Sequence, residues 1–173
     1  MATIERNGYG QLELNQVAFR RDGRIEAQMP YDTETDTTFE NGMVVIVDKA
    51  NGVITKGVIG EGDLYGIVYT SEELYDSRKP GLKNFGVEVK GGEAKGPEGY
   101  DVYPRIGFLA VADRFTTNTV VDGTYEDGDI VYVGATGEWT KSKPENYGGP
   151  VGVVNVSTMP DGQNAIKVVI TKA

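Results

Sequence analysis

The 173-residue chain has no cysteine, no histidine and only four serines. Without thiolate or imidazole groups it cannot build the usual zinc sites, a Ser–His or Cys–His nucleophile pair, or an imidazole acid/base group near neutral pH. The absence of cysteine also excludes a disulfide scaffold, although it does not indicate a cellular compartment. The sequence therefore predicts a protein that is not an enzyme and that needs no cofactor or metal.

Basic residues are outnumbered as well. Seventeen Lys and Arg residues against 26 Asp and Glu residues give a formal net charge of −9, with a pI near 4.6. Such a balance is unfavourable for binding phosphate backbones or anionic lipid. No run approaches the roughly 18 apolar residues of a membrane helix, and MATIERNGYG lacks the basic and apolar regions of a signal peptide. We expect no nucleic-acid partner, no membrane partner and no export by that route.

Leucine and alanine are few, with 6 and 10 residues, whereas valine, isoleucine and threonine supply 21, 10 and 15. Because β-branched side chains favour pleated strands over helices, this imbalance predicts an all-β fold. The 24 glycines and 7 prolines indicate many turns. At most one short helix is expected, near residues 71–79, where Thr70 or Ser71 could cap the segment before Pro80.

Short apolar runs bounded by turn signals predict eight strands. They cover residues 43–48, 52–59, 64–70, 85–89, 106–112, 129–134, 151–157 and 165–172. A weaker candidate strand lies at residues 24–29. This spacing of strands and turns is typical of a sandwich or a barrel.

The chain also repeats itself. The ten residues FENGMVVIVD, from Phe39, correspond to YEDGDIVYVG, from Tyr125, and the match continues through a second turn to a third strand. Each copy has the pattern of an aromatic anchor, a tight turn and a three-stranded meander. Two such modules can cover each other's apolar faces, so we expect one shared core in a small barrel or sandwich. The positions that define the repeat are Phe39, Gly42, Gly66, Tyr125, Gly128 and Gly152.

The repeat suggests a division of the chain into four parts. These are an N-terminal arm (1–20), a first β module (21–90), a connecting loop (91–104) and a second β module (105–173). The arm mixes apolar residues with Gly and Asn, and it could pack on a neighbouring chain or fray as a free terminus. Its candidate contact residues are Tyr9, Leu12, Leu14 and Phe19.

Two local patterns invite a chemical interpretation. Residues 32–40 carry carboxylates at alternate positions, like the start of a calcium-binding loop, but Thr37 and Met43 replace the Gly and the final Glu of an EF-hand. A solvated acidic loop is the better interpretation. Ser142 and Lys143 are adjacent, and neighbours on an extended chain point to opposite sides, which argues against a Ser–Lys dyad.

Aromatic residues offer a binding alternative, since ten tyrosines and one tryptophan could stack on sugar rings or anchor an interface. Trp139 corresponds to Ile54 of the other copy. That correspondence predicts a core or half-buried position as the default.

The second module carries a recognisable succession: Arg105-Ile-Gly107-Phe, Tyr125-Glu-Asp-Gly128-Asp-Ile-Val-Tyr-Val, Thr136-Gly137-Glu-Trp-Thr140 and Pro150-Val-Gly152-Val-Val. It resembles the capsid decoration (cement, or head-stabilising) proteins of tailed phages over about 70 residues, and the first module is similar at lower fidelity.

This resemblance implies a structural protein on the outer surface of the virion's capsid, bound to the major capsid protein and commonly a homotrimer. The arm would then contact the capsid or a neighbouring subunit. The resemblance transfers no functional residue to this chain. The alternative is a carbohydrate-binding or adhesive β module on a virion or cell surface, which would use the tyrosines and Trp139.

Overall fold

The structure, a computed structural model, describes residues 1–8, 10–26, 29–30, 37–69, 86–90, 93–94 and 104–173. These residues form sixteen strands and one short helix. The strands are β1 (Ala2–Ile4), β2 (Leu12–Gln16), β3 (Ile25–Glu26), β4 (Thr37–Glu40), β5 (Val44–Asp48), β6 (Val53–Thr55), β7 (Tyr65–Tyr69), β8 (Gly86–Lys90), β9 (Glu93–Ala94), β10 (Arg105–Gly107), β11 (Arg114–Thr117), β12 (Gly123–Tyr125), β13 (Ile130–Val133), β14 (Trp139–Thr140), β15 (Val151–Thr158) and β16 (Asn164–Lys172), and the helix is α1 (Ala18–Asp22).

The predicted all-β fold is confirmed, with 46% of residues in strands and 4% in helix. All strand pairs are antiparallel. The two large sheets have the orders β3-β10-β7-β5-β6 and β14-β13-β15-β16-β11-β2. One small sheet pairs β1 with β12, and the other has the order β4-β8-β9. The sheets are compatible with a sandwich or an open barrel but do not close.

Helix α1 was not expected, and the helix predicted near 71–79 lies outside the described residues. A distant side chain starts α1, because Ala18 N donates a hydrogen bond of 2.6 Å to Asp113 Oδ1. Gly23 ends the helix with a φ of 71°, a left-handed conformation that glycine adopts readily. Asp113, which caps the helix, is 95 residues away in the sequence, so no local pattern predicts the start of α1.

The two copies of the repeat share one strand register. In the first copy (residues 39–69) Val45 pairs with Gly66, and in the second copy (residues 125–158) Val131 pairs with Gly152. The neighbouring edge strands also correspond, since β5 pairs with β6 as β13 pairs with β14. The sequence repeat is therefore a structural repeat of the three-stranded meander.

The turn that opens each meander is also duplicated in its hydrogen bonds. Gly42 N donates to Val68 O at 2.9 Å, and Gly128 N donates to Val154 O at 2.8 Å. Gly42 and Gly128 have φ values of 89° and 92°, in the region where a side chain is strained. Glycine is thus required at this turn in both copies.

The division of the chain at residue 105 needs correction. β10 was expected to begin the second module, but it lies between β3 and β7 in the sheet of the first copy. The expected strand at 85–89 corresponds to β8, which pairs with β4 in a separate small sheet instead of following the first meander. Conversely, β2 belongs to the sheet of the second copy. Each module therefore takes a strand from outside its predicted boundaries.

One apolar core contains residues from both copies, as the repeat predicts. Val44 and Ile67 of the first copy join Val131 and Trp139 of the second copy in it, together with Phe115. A second, smaller cluster covers the opposite face of the first copy's sheet. Its members are Met29, Phe39, Met43, Val45, Val47, Ile54, Val68 and Ile106. The first copy's sheet is thus buried on both faces.

Candidate interaction surfaces

The two copies contact each other through different parts of the module. The first copy contributes the start of its β5 strand, where Val44 N donates to Gly137 O of the second copy at 2.9 Å. Trp139 Nε1 donates to Gly42 O at 3.2 Å, and both Val44 and Trp139 are buried. The internal interface therefore joins the β5 end of the first copy to the β13–β14 turn of the second copy.

Each copy also has positions equivalent to those in the internal interface that contact no other copy. Ile130 corresponds to Val44 and is 50% exposed, whereas Val44 is 2% exposed. Gly128 is exposed although its counterpart Gly42 is buried, and Val153 is half-buried. We call Gly128, Ile130 and Val153 the open face of the second copy.

The first copy has a matching open end. Gly52 corresponds to Gly137, but a Cβ atom added at Gly52 would meet no atom of the described residues within 4 Å, whereas at Gly137 it would lie 2.9 Å from Val44 O. Val53, next to it, is half-buried on the edge strand β6. We call Gly52 and Val53 the open turn of the first copy.

The N-terminal segment is not an arm that leaves the molecule, which corrects that expectation. Within it β1 pairs with β12, and β2 pairs with β11, placing Leu12 opposite Thr117 and Leu14 opposite Phe115. Leu12 and Leu14 are half-buried and pack against the core. Phe19 is fully buried, 5.1 Å from the ring of Tyr69, so it cannot contact a partner in this fold. Tyr9 lies outside the described residues.

A charged cluster holds this segment to both copies. Arg6 Nη1 lies 2.6 Å from Glu40 Oε2 in the first copy and 3.5 Å from Glu138 Oε1 in the second. Gly10 N also donates to Glu40 Oε2, at 2.9 Å. Lys56 lies close by, and its burial lowers the pKa of its ammonium group while Glu40 and Glu138 oppose that shift. No local pattern predicts this cluster, because its members are far apart along the chain.

The aromatic anchors of the repeat occupy equivalent places. Phe39 and Tyr125 are both 2% exposed. A lysine lies over each ring, with Lys56 Nζ 5.1 Å from the centroid of Phe39 and Lys141 Nζ 5.4 Å from that of Tyr125. These lysines are in the Thr-Lys dipeptides that align in the two copies, so the cation–π contact is duplicated with the strands.

Trp139 and Tyr125 are buried, and the hydroxyl group of Tyr147 is bound within the fold. Trp139 is fully buried and its ring lies 5.5 Å from that of Phe115. The hydroxyl groups of Tyr125 and Tyr147 donate to the backbone oxygens of Val121 and Pro150. Burial raises the pKa of Tyr125 to about 12. Trp139 is therefore a core residue, and the carbohydrate hypothesis loses the side chain on which it chiefly depended.

A shallow polar groove of about 610 Å³ lies beside the six-stranded sheet. Its walls come from β2, β11, β15, β16 and the turn between the last two, and they contain no aromatic ring. The lining residues are Glu13, Asn15, Thr116, Ser157, Thr158, Met159, Pro160, Gly162 and Lys167. Thr116 Oγ1 donates to Asn15 Oδ1 at 3.0 Å, so part of this polar surface is already satisfied internally.

Across the described ranges, no group of three or more acidic side chains is placed to hold a metal ion. The acidic residues Asp32, Glu34 and Asp36 lie outside these ranges, and Glu40, at the end of that run, is paired with Arg6. No helix in the described part of the chain is long and apolar enough to cross a membrane.

Comparison with protein-family models, with curated proteins and with solved structures gives no match. The candidate surfaces are the open face, the open turn and the polar groove. Each consists of exposed backbone and a few separate side chains. Ile130 was not singled out from the sequence, although its repeat partner Val44 makes it notable once the copies are compared. Such surfaces suit binding to another protein.

Proposed function

We propose that this chain is a structural capsid decoration protein of a tailed phage. It sits on the outer surface of the virion, binds the major capsid protein and stabilises the assembled head, as a homotrimer. The observation that carries the proposal is the pattern of turns and strands in the second module, from Arg105 to Val154, which resembles that family. The duplicated scaffold with an exposed, half-apolar sheet face supports it.

A decoration protein acts by mass action, because it binds the assembled lattice and not the free subunit. Many equivalent sites and several modules per oligomer multiply weak contacts. Such a role requires a rigid fold with complementary surface, which agrees with the large share of buried strand residues. The N-terminal segment contributes to that rigidity by joining both copies.

The test is the composition of purified virions. Phage particles from the source are banded on a density gradient, and the fractions are analysed by quantitative mass spectrometry. We expect this chain to co-migrate with the major capsid protein at a fixed ratio, and to be released or digested by protease without loss of the packaged genome, as an outer component would be. Presence in the lysate only, or protection from protease inside intact heads, would contradict the proposal.

A further inference from the structure

We propose that copies of this chain associate head to tail, with the open face of one chain binding the open turn of the next. The inference goes beyond the proposed function by naming the surfaces through which copies associate, and it does not depend on capsid binding. It rests on the comparison of the two copies within one chain. The partner it names is a second copy of the same chain.

The internal interface shows that two different surfaces of the module can bind each other. The β5 end of the first copy, at Gly42 and Val44, fits the β13–β14 turn of the second copy, at Gly137. Because the two contacting surfaces are different parts of the same module, this interface is heterologous, like the contact between successive units in a ring or filament. A heterologous contact between two units always leaves one unused end of each kind.

The two unused ends are the surfaces that remain open here. The second copy leaves Gly128 and Ile130 exposed, the counterparts of the buried Gly42 and Val44. The first copy leaves the turn at Gly52 open, the counterpart of the enclosed Gly137. One chain thus presents both halves of an interface that its own copies already form once.

The backbone at the open face supports the same contact. In the antiparallel pair of β5 with β7, the N–H of Val44 points away from β7, and it donates to Gly137 O. The N–H of Ile130 points away from β15 in the same way, but within the described ranges no carbonyl takes the place of Gly137 O. Gly52 O of a neighbouring chain would supply that acceptor.

The contact between chains should be weaker than the internal one. Trp139 donates its indole N–H to Gly42 O in the internal interface, and the corresponding residue of the open turn's strand is Ile54, which has no side-chain donor. The open face also exposes only one large apolar residue, Ile130, which is a small apolar area compared with that of a stable protein interface. Association is therefore expected to depend on concentration.

The test is sedimentation velocity of the full chain over a wide concentration range, with three variants. Ile130→Glu places a charge on the open face and Val53→Glu places one beside the open turn. Val111→Glu is the matched control, since Val111 is 62% exposed and belongs to neither surface. We expect each of the first two variants to weaken association more than about tenfold, because it buries an unpaired charge. The control should associate like the parent chain.

A mixture of the first two variants separates head-to-tail contact from a symmetric one. Ile130→Glu retains an intact open turn, and Val53→Glu retains an intact open face. Their mixture should form dimers and nothing larger, while each variant alone stays monomeric. The inference is overturned if the parent chain is monomeric throughout, if Val53→Glu has no effect, or if mixing restores no dimer. Circular dichroism of each variant checks that the β fold is retained, and these outcomes are independent of capsid binding.

Discussion

Arg6 Nη1 lies 2.6 Å from Glu40 Oε2, and the carboxylate side chain is only 7% exposed. The two residues belong to the N-terminal segment and to the end of β4, and the same arginine reaches Glu138 of the second copy. Because the ion pair is enclosed, little water can reach either side chain to take the place of its partner. The contact therefore fixes the N-terminal segment against both copies of the repeat.

Arg6→Ala should destabilise the protein by about 2 to 4 kcal/mol, because it removes the cation that directly contacts the enclosed Glu40 carboxylate. Urea unfolding followed by circular dichroism measures the change in the free energy of unfolding. The matched control is Arg21→Ala, which removes an exposed pair with Asp22, with side-chain exposures of 73% and 44%. The control should leave the free energy of unfolding essentially unchanged, because a solvent-exposed ion pair contributes little, and equal effects of the two variants would refute this role of Arg6.

Local sequence patterns predicted much of the fold but not how distant segments join its sheets. Turn glycines and alternating β-branched residues lie within a few positions of the hydrogen bonds that they form, so the meanders could be found from the sequence. The places of β2 and β10 depend on partners far along the chain, such as Phe115 for Leu14 and Val68 for Ile106. No periodicity within a short window tells which sheet such a strand joins, or distinguishes the edge strand β2 from a free arm.

Gly66→Ala should destabilise the first copy strongly. An added Cβ atom would lie 2.5 Å from Ile106 Cγ2 and 2.7 Å from Gly107 O, and backbone cannot move aside as a side chain can. We expect a loss of about 3 kcal/mol, at the upper end for overpacking. Gly123→Ala is the control, since its nearest atom would be 3.9 Å away, and it should change stability by less than about 0.5 kcal/mol. Thermal unfolding of both variants checks the difference, and a fully stable Gly66→Ala would show that β10 does not pack here.

The exposure of the candidate surfaces could not be predicted from the sequence. The alternation in β13 predicts that Ile130 and Val131 point to opposite faces, but it does not tell which face another module covers. Val44 and Ile130 are equivalent in the repeat, and only the packing of one copy on the other buries the first and exposes the second. The exposure of the open face therefore depends on how the two copies pack together, and a single copy's sequence does not determine it.

Trp139→Ile introduces the residue of the first copy at the equivalent position of the second. The change should cost about 3 kcal/mol, because it removes a large buried ring and leaves Gly42 O without the indole donor. Urea unfolding is followed by circular dichroism, since the variant has no tryptophan. In the parent chain this single tryptophan should emit at short wavelength and shift to the red on unfolding. A solvent-exposed emission spectrum in the native state would contradict the buried position.

Tyr125 should make stability depend on pH in the alkaline range. Burial raises the pKa of its phenol from 10.0 to about 12 in the folded protein, so the unfolded chain loses this proton first. The contribution is complete below about pH 10 and is lost as the pH rises to about 12. Tyr125→Phe restores the aromatic residue of the first copy, and it should reduce the loss of stability between these pH values. Urea unfolding at pH 8, 10 and 11.5 measures the effect, and identical pH profiles for the two proteins would refute it.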